Sequence, residues 1–283
     1  MTFALLVTGG AGFIGSAVAR ELSARDDIRV TWVAHHRRVP SQPGRSRVIT
    51  RNIADPASIR GITVGADAVL HLAHAITGPV ERLVAVNDVG ARTIAHEAAT
   101  TATRLVAVST AAVYGHALSP GVDIHQLREA PGSAVSATRT AGDKHIVDAG
   151  GTVVRPHLVL GAGDRWVIPR AADLVARFGW AITGDAVHSV IDVDDLAVRL
   201  ISAAVDDPAP PGVWLAAERT PRSLRPSIAT ELQRRGLRPA DPTEPARITS
   251  SAESQALEHD RMLLSTNHYL TCTCANAPAA FRT

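Results

Sequence analysis

The chain has 283 residues, of which 46% are hydrophobic and 20% charged, with a formal net charge of +2. That length and apolar content describe a soluble globular protein with one large core, sized for a nucleotide-binding domain and a modest addition. Basic residues scatter among acids rather than forming a block, which argues against a nucleic-acid partner; no apolar run is long enough to span a membrane or flanked like a signal peptide.

The first half alternates β-branched runs with longer helical stretches, the pattern of βαβ units on a parallel sheet. Strands are predicted at Ala4 to Thr8, Ile28 to Val33, Arg47 to Thr50, Ala68 to Leu72, Arg104 to Ser109 and Thr152 to Arg155. Helices are predicted at Ser16 to Arg25, Pro56 to Gly61, Val80 to Thr100 and Ser133 to Ala149. The order implies an α/β fold with a doubly wound parallel sheet of the Rossmann type. Beyond it, a loop at Gly161 to Gly163 leads to a helix at Pro169 to Phe178, a strand at Val187 to Val190, a helix at Asp192 to Val205 and a strand at Val213 to Ala217. Residues 1–160, completed by about 187–218, form the expected nucleotide-binding core, and 161–186 with 219–283 a small, discontinuous substrate-binding region. Cys272 and Cys274 are the only cysteines. Their spacing suits neither a disulfide nor a metal site, and the histidines show no metal-ligand spacing, so no metal is expected and cytoplasmic residence fits.

Directly after the first strand stands Thr8-Gly9-Gly10-Ala11-Gly12-Phe13-Ile14-Gly15-Ser16. Gly9 permits a tight turn, Gly12 lets backbone approach a pyrophosphate, and Gly15 lets the helix pack closely on the strand. The helix N-terminus, carrying Phe13 and Ile14, then meets the phosphates with free N–H groups and a positive dipole end. The second strand ends without the carboxylate that would grip a ribose 2′-hydroxyl. It runs instead into His35-His36-Arg37-Arg38, imidazoles and guanidiniums suited to a 2′-phosphate. NADPH is the expected cofactor, with NADH possible.

Further motifs follow in register: Asn52-Ile53, His71-Leu72-Ala73-His74, Asn87, Ser109-Thr110-Ala111-Ala112-Val113-Tyr114-Gly115, Arg155-Pro156 and Val190 to Ala197. In order and spacing these resemble the extended short-chain dehydrogenase/reductases of the NAD-dependent epimerase/dehydratase superfamily, over about the first 200 residues. The resemblance implies that Asn52 and Ile53 border the adenine and that Leu72, Ala73 and His74 line the cofactor cleft. It further implies that Ser109 contributes to the cofactor site, that Pro156 and Leu158 flank the nicotinamide, and that Asp194 and Asp195 cap and anchor a helix.

Members of that family surround the substrate carbonyl with a Ser or Thr, a Tyr and a Lys. Thr110 resembles the first of these, but the helix meant to carry Tyr-x-x-x-Lys places Val135 in the Tyr position and Arg139 in the Lys position. Tyr114 and Tyr269 are the only tyrosines, and neither is followed four residues later by lysine; Lys144 is the only lysine. Arg139 is expected to bond the nicotinamide ribose as a fixed cation, and Tyr114, Val135 and Trp166 to line the substrate space.

Three readings remain open at this point. One is a reductase that dispenses with the tyrosine because its substrate, a ketone beside a phenol, carries its own internal hydrogen bond. A resemblance to atypical reductases of this kind, supported by Val135 and Arg139 in an intact framework and by an arginine-rich composition, implies a polycyclic aromatic ketone, angucyclinone-like, in antibiotic biosynthesis. The others are a non-catalytic NADP(H)-sensing regulatory protein and a sugar-nucleotide epimerase or dehydratase. Either a monomer or a homodimer fits.

Overall fold

Continuous burial along the second half of Phe3–Thr8 (β1) explains why this strand sits at the centre of the molecule: Leu5 and Val7 face one hydrophobic cluster, and Leu6 faces another on the opposite side. A strand buried on both faces belongs inside a parallel sheet covered by helices. The computed structural model describes residues 2–36, 38–39, 44–115, 121–184, 186–241, 264–271 and 281.

The remaining strands are Ile28–Ala34 (β2), Ser46–Thr50 (β3), Ala68–His71 (β4), Arg104–Val108 (β5), Val122–Asp123 (β6), Thr152–Pro156 (β7), Leu158–Leu160 (β8), Val187–His188 (β9), Val190–Asp192 (β10), Gly212–Ala216 (β11), Arg222–Ser223 (β12) and Leu270–Thr271 (β13). Six of them join β1 in one sheet of order β11-β7-β5-β4-β1-β2-β3, paired in parallel throughout. The chain winds outward in both directions from the β1/β4 pair, so the crevice at the carboxyl ends of those strands is where a doubly wound fold takes its ligand. In that register Thr8 lies beside His71.

Helices Phe13–Ser23 (α1), Val80–Leu83 (α2), Ala91–Thr100 (α3), Ala134–Asp148 (α4), Ile168–Phe178 (α5), Val193–Ile201 (α6) and Arg225–Arg235 (α7) complete the main elements. The cluster around Leu5 and Val7 gathers Val18 and Leu22 of α1 with Leu196 and Leu200 of α6; the cluster around Leu6 gathers Ile94 and Ala98 of α3 with Ile146 of α4. A third cluster is built apart from the main sheet, from Leu158, Leu160, Val175, Ile182, Val190, Ile228, Leu232 and Leu264. There β8 pairs with β10.

Four differences from the sequence reading have local causes. Pro56 to Gly61 forms successive turns rather than a helix, because Asp55 accepts from the Ala57 N–H and Gly61 and Gly65 take positive φ. The helix predicted over 80–100 is continuous, but Val84–Gly90 winds as a π-helix between α2 and α3. The strand predicted at 187–190 divides at Ser189 into β9 and β10, and β8 went unpredicted. The α6 cap is Asp192, whose carboxylate accepts from the Asp194 N–H at 2.8 Å, while Asp194 itself pairs with Arg20. Asp194 anchors the helix to α1; it does not cap it. No helix among the described residues is long and apolar enough to cross a membrane.

Candidate functional site

The site begins in the loop between β1 and α1. Gly9 has φ +75, and a Cβ there would lie 2.5 Å from the Ala73 nitrogen, so only glycine lets the loop rest against the chain leaving β4. A Cβ on Gly15 would meet the Gly9 carbonyl oxygen at 2.2 Å, which seats α1 tightly on the loop. Gly12 differs: a Cβ there would meet only the Gly9 oxygen, at 3.3 Å, and otherwise open space. Gly12 is also the α1 N-cap and offers no side-chain hydrogen bond, so the first-turn N–H groups of Phe13, Ile14 and Gly15 are left for an outside acceptor. This open, uncapped cradle fits a dinucleotide pyrophosphate.

Around it, the other residues expected at the cofactor lie along the same edge of the sheet. His35 and His36 are exposed just past β2, their rings 3.5 Å apart, and Arg38 is exposed as well. Arg37 lies outside the described residues. Asn52 and Ile53 follow β3; the Asn52 side-chain oxygen accepts from the Ala54 N–H at 3.1 Å, holding the turn. Leu72, Ala73 and His74 follow β4, with Leu72 buried and the other two half-buried.

One hydroxyl organises the start of that segment. Thr8 Oγ1 accepts from the Leu72 and Ala73 N–H groups at 3.2 and 3.3 Å and lies 2.8 Å from His71 Nδ1. Its single proton therefore goes to His71 Nδ1, which leaves the neutral imidazole protonated on Nε2. His71 is fully enclosed, and burial, with Arg139 nearby, lowers its pKa to about 4.

Thr110 closes β5. Its oxygen accepts from the Ala112 N–H at 3.2 Å, which leaves the hydroxyl proton for another acceptor, the arrangement needed to polarise a carbonyl. Across from it, α4 starts with a capping box between Ser133 and Ser136 and then presents half-buried Val135 and, one turn on, Arg139. Arg139 Nη2 donates to the Val108 carbonyl at 3.1 Å, while its Nε is buried without a partner among the described residues. Burial lowers the guanidinium to about 10, although Asp143 favours its charge. Arg139 thus stays cationic beneath the cleft, at the carboxyl end of β5.

Behind this face lies an ionic network that sequence reasoning did not find. Arg155 donates from Nε to Asp143 Oδ2 at 2.9 Å, from Nη1 to the Tyr114 hydroxyl at 2.9 Å and from Nη2 to Glu129 at 2.5 Å. Ser109 Oγ donates to the same Asp143 oxygen at 2.7 Å. Burial works against the Arg155 charge, but Asp143, Tyr114 and Glu129 outweigh it and raise its pKa. Two expectations are corrected here. Tyr114 is buried with its hydroxyl held by Arg155, so it does not face substrate, and burial keeps its phenol protonated. Ser109 is buried with its hydroxyl proton committed to Asp143, so its side chain has no proton left to donate to a cofactor. The Arg139 and Asp143 spacing on α4 was a local signal; Glu129 and Arg155 meet them only through the fold.

Asn87 was also given no role beforehand. Within the π-helical turn it is buried, and its amide holds Ala75 from both sides: Oδ1 accepts from the Ala75 N–H at 2.8 Å and Nδ2 donates to the Ala75 carbonyl at 2.9 Å. Nδ2 also reaches Thr138 Oγ1 at 3.1 Å, tying the segment after β4 to the first turns of α4. Pro156 and Leu158 are buried at the end of β7 and in β8. Trp166 stands 53% exposed on a turn whose N–H groups are gathered by Asp164, so its ring is free of the core.

Comparison with known proteins agrees with this fold. The chain resembles a 2-alkyl-3-oxoalkanoate reductase of Stenotrophomonas maltophilia (strain K279a), with 28% identity over 198 residues, 66% of this chain and 60% of the relative's length. Its fold matches the Bordetella bronchiseptica enzyme WbmH in complex with NAD+ at a TM-score of 0.74 and 20% identity, over 91% of this chain and 92% of that one. It matches the UDP-Glc/GlcNAc 4-epimerase of Campylobacter jejuni at a TM-score of 0.75 and 18% identity, over 99% and 94% of the two chains. Residues 5–215 match the model of the NAD dependent epimerase/dehydratase family, and the chain belongs to that family.

Proposed function

We propose that this protein is an NADPH-dependent ketoreductase that reduces a ketone of a polycyclic aromatic polyketide, angucyclinone-like, to a secondary alcohol in antibiotic biosynthesis. The observation that carries the reading is a cofactor cradle and a Thr110 hydroxyl kept intact beside an α4 that presents Val135 and Arg139 in place of Tyr and Lys. The resemblance to a reductase supports the reaction class. Exposed His35, His36 and Arg38, with no carboxylate at the end of β2, support a 2′-phosphate on the cofactor.

The bound nicotinamide supplies the hydride. The chain's own part is to bind, orient and polarise: the α1 N-terminus holds the pyrophosphate, Arg139 places a fixed positive charge under the cleft, and Thr110 donates to the carbonyl oxygen. Losing a general acid costs about 10²–10⁴-fold, or roughly 3–5 kcal/mol of barrier. Holding the reactants in a near-attack geometry contributes about 7–11 kcal/mol, so the loss is tolerable for an easy acceptor. A ketone beside a phenol is such an acceptor, because its internal hydrogen bond stabilises the developing alkoxide.

The rival reading, a nucleotide sensor, is favoured by the same missing tyrosine. Epimerase or dehydratase chemistry is disfavoured by the resemblance to a reductase. The deciding experiment offers NADPH with a hydroxylated tetracyclic ketone and with its O-methyl ether. The proposal expects turnover of the phenol and a loss of about 10-fold or more for the ether; equal rates for the two would remove the substrate's hydrogen bond from the account.

A further inference from the structure

We propose that His74 handles the proton of the carbonyl–alcohol exchange, the part that falls to a tyrosine in the enzymes this chain resembles. The inference rests on the reductase reading of the same cleft and adds a residue to it.

Two observations place His74 for the task. The Asn87 amide holds Ala75, the next residue, and bonds Thr138, whose hydroxyl in turn donates to the Ala134 and Val135 carbonyls at 2.9 and 3.0 Å. The segment carrying His74 is therefore pinned to the turn of α4 where Val135 stands. His74 is half-buried, whereas its neighbour His71, ring centroid 5.4 Å away, is sealed inside and occupied by Thr8. A neutral imidazole carries one N–H and one bare nitrogen, and the bare nitrogen is an acceptor.

A base placed in this way can take the proton of an alcohol and return it in the reverse direction. In reduction the carbonyl carbon gains a hydrogen with its electron pair from the reduced nicotinamide, and the π pair moves onto oxygen. That oxygen takes the proton from the His74 imidazolium, whose N–H bond breaks to leave neutral imidazole; solvent restores the proton. An internal phenol hydrogen bond and His74 are compatible, the first stabilising the alkoxide and the second supplying its proton.

The charged and titratable groups acting on His74 among the described residues are Arg139 from α4 and His71 at the end of β4. Burial first, then Arg139 and His71, hold its pKa well below the ordinary histidine value. At neutral pH the ring is the neutral acceptor that alcohol oxidation requires, and reduction draws on the scarcer protonated form. Reduction should therefore accelerate as pH falls and oxidation should level off as pH rises.

The test compares the full-length chain with His74→Gln and His74→Phe in both directions across pH 5 to 9, a range of about four units around neutrality. It also follows the His74 imidazole nitrogens by NMR during titration with NADP+. The expected result is a loss of about 100-fold or more in kcat/KM for both variants, with the acid-favoured slope of reduction abolished. The NMR titration should show one protonated and one bare nitrogen whose signals move as the cofactor binds. Variants within about threefold of wild type with an unchanged pH profile would overturn the proposal alone, as would imidazole signals unmoved by saturating NADP+. A wild-type chain that turns over no ketone would overturn the reductase reading and this proposal together.

Discussion

Arg155 and Asp143 form an ion pair in which the two side chains are only 3% and 6% exposed, with nitrogen–oxygen distances of 2.9 Å from Nε and 2.8 Å from Nη2. It joins β7 to α4, and through Ser109 it also joins the end of β5. Three elements that meet at the cleft are thus fixed by one carboxylate. Asp143→Ala leaves a buried guanidinium with only Tyr114 and Glu129, and should cost about 3–5 kcal/mol in a denaturant titration. A cost under about 1 kcal/mol would mean that the pair carries no structural weight.

The glycine loop gives a sharper contrast. Gly15→Ala drives a methyl group against the Gly9 carbonyl and should destabilise the fold and abolish cofactor binding together. Gly12→Ala meets only the Gly9 oxygen, at the edge of tolerance. That variant should stay folded, with stability within about 1 kcal/mol of wild type, yet lose about 10-fold or more in nucleotide affinity because its methyl occupies the approach to the pyrophosphate. Fluorescence quenching of NADPH, alongside a thermal melt, separates the two outcomes; unaltered affinity in Gly12→Ala would place the pyrophosphate elsewhere.

Thr110 supplies a prediction for the reaction itself. Thr110→Ala removes the hydroxyl aimed at the carbonyl and the cap of the Ala111–Tyr114 turn. It should lower kcat by about 10- to 100-fold with about 1 kcal/mol of destabilisation, and Thr110→Ser should restore most of both. Equal kcat for the Thr110→Ala variant and wild type would exclude the hydroxyl from the mechanism.

Buried neutral histidines set a pH limit on stability. His71, His157 and His188 have pKa values lowered to about 4, 3 and 4, burial being the leading cause for each. The rings of His157, His188 and His268 lie 5.9 to 6.3 Å apart, centroid to centroid. Because the folded pKa values lie below those of the unfolded chain, the unfolded state binds more protons as pH drops beneath about 6.5. Stability is full above that value and declines toward pH 4 and 3. Each such group steepens the decline by up to about 1.4 kcal/mol per pH unit. His157→Gln should shallow the slope by about one group's share, read from denaturant midpoints at several pH values; an unchanged slope would place His157 outside the titrating set.

Much of this protein was legible in its sequence because the decisive signals were local. The alternation of β-branched runs and helices yields the parallel sheet, and the glycine loop lies between β1 and α1 as its spacing predicts. What escaped depends on partners distant in the chain. Asp143, Arg155 and Glu129 are ordinary polar residues until the fold buries them together, and so Tyr114 was assigned to substrate when it belongs to that network. The π-helical turn around Asn87 has no pattern of its own in a stretch that reads as continuous helix. Pro56 to Gly61 failed for the opposite reason: an Asp side chain and positive-φ glycines won over a weak helical pattern.

The central claim is that a chain without Tyr-x-x-x-Lys still reduces a ketone. The most direct measurement mixes NADPH-loaded protein with a stoichiometric amount of a hydroxylated polycyclic ketone and follows the absorbance of the reduced nicotinamide while quantifying the alcohol. The account predicts loss of reduced cofactor in step with alcohol formation. NADPH that binds firmly yet persists unoxidised across a broad ketone panel would contradict it and establish a nucleotide sensor instead.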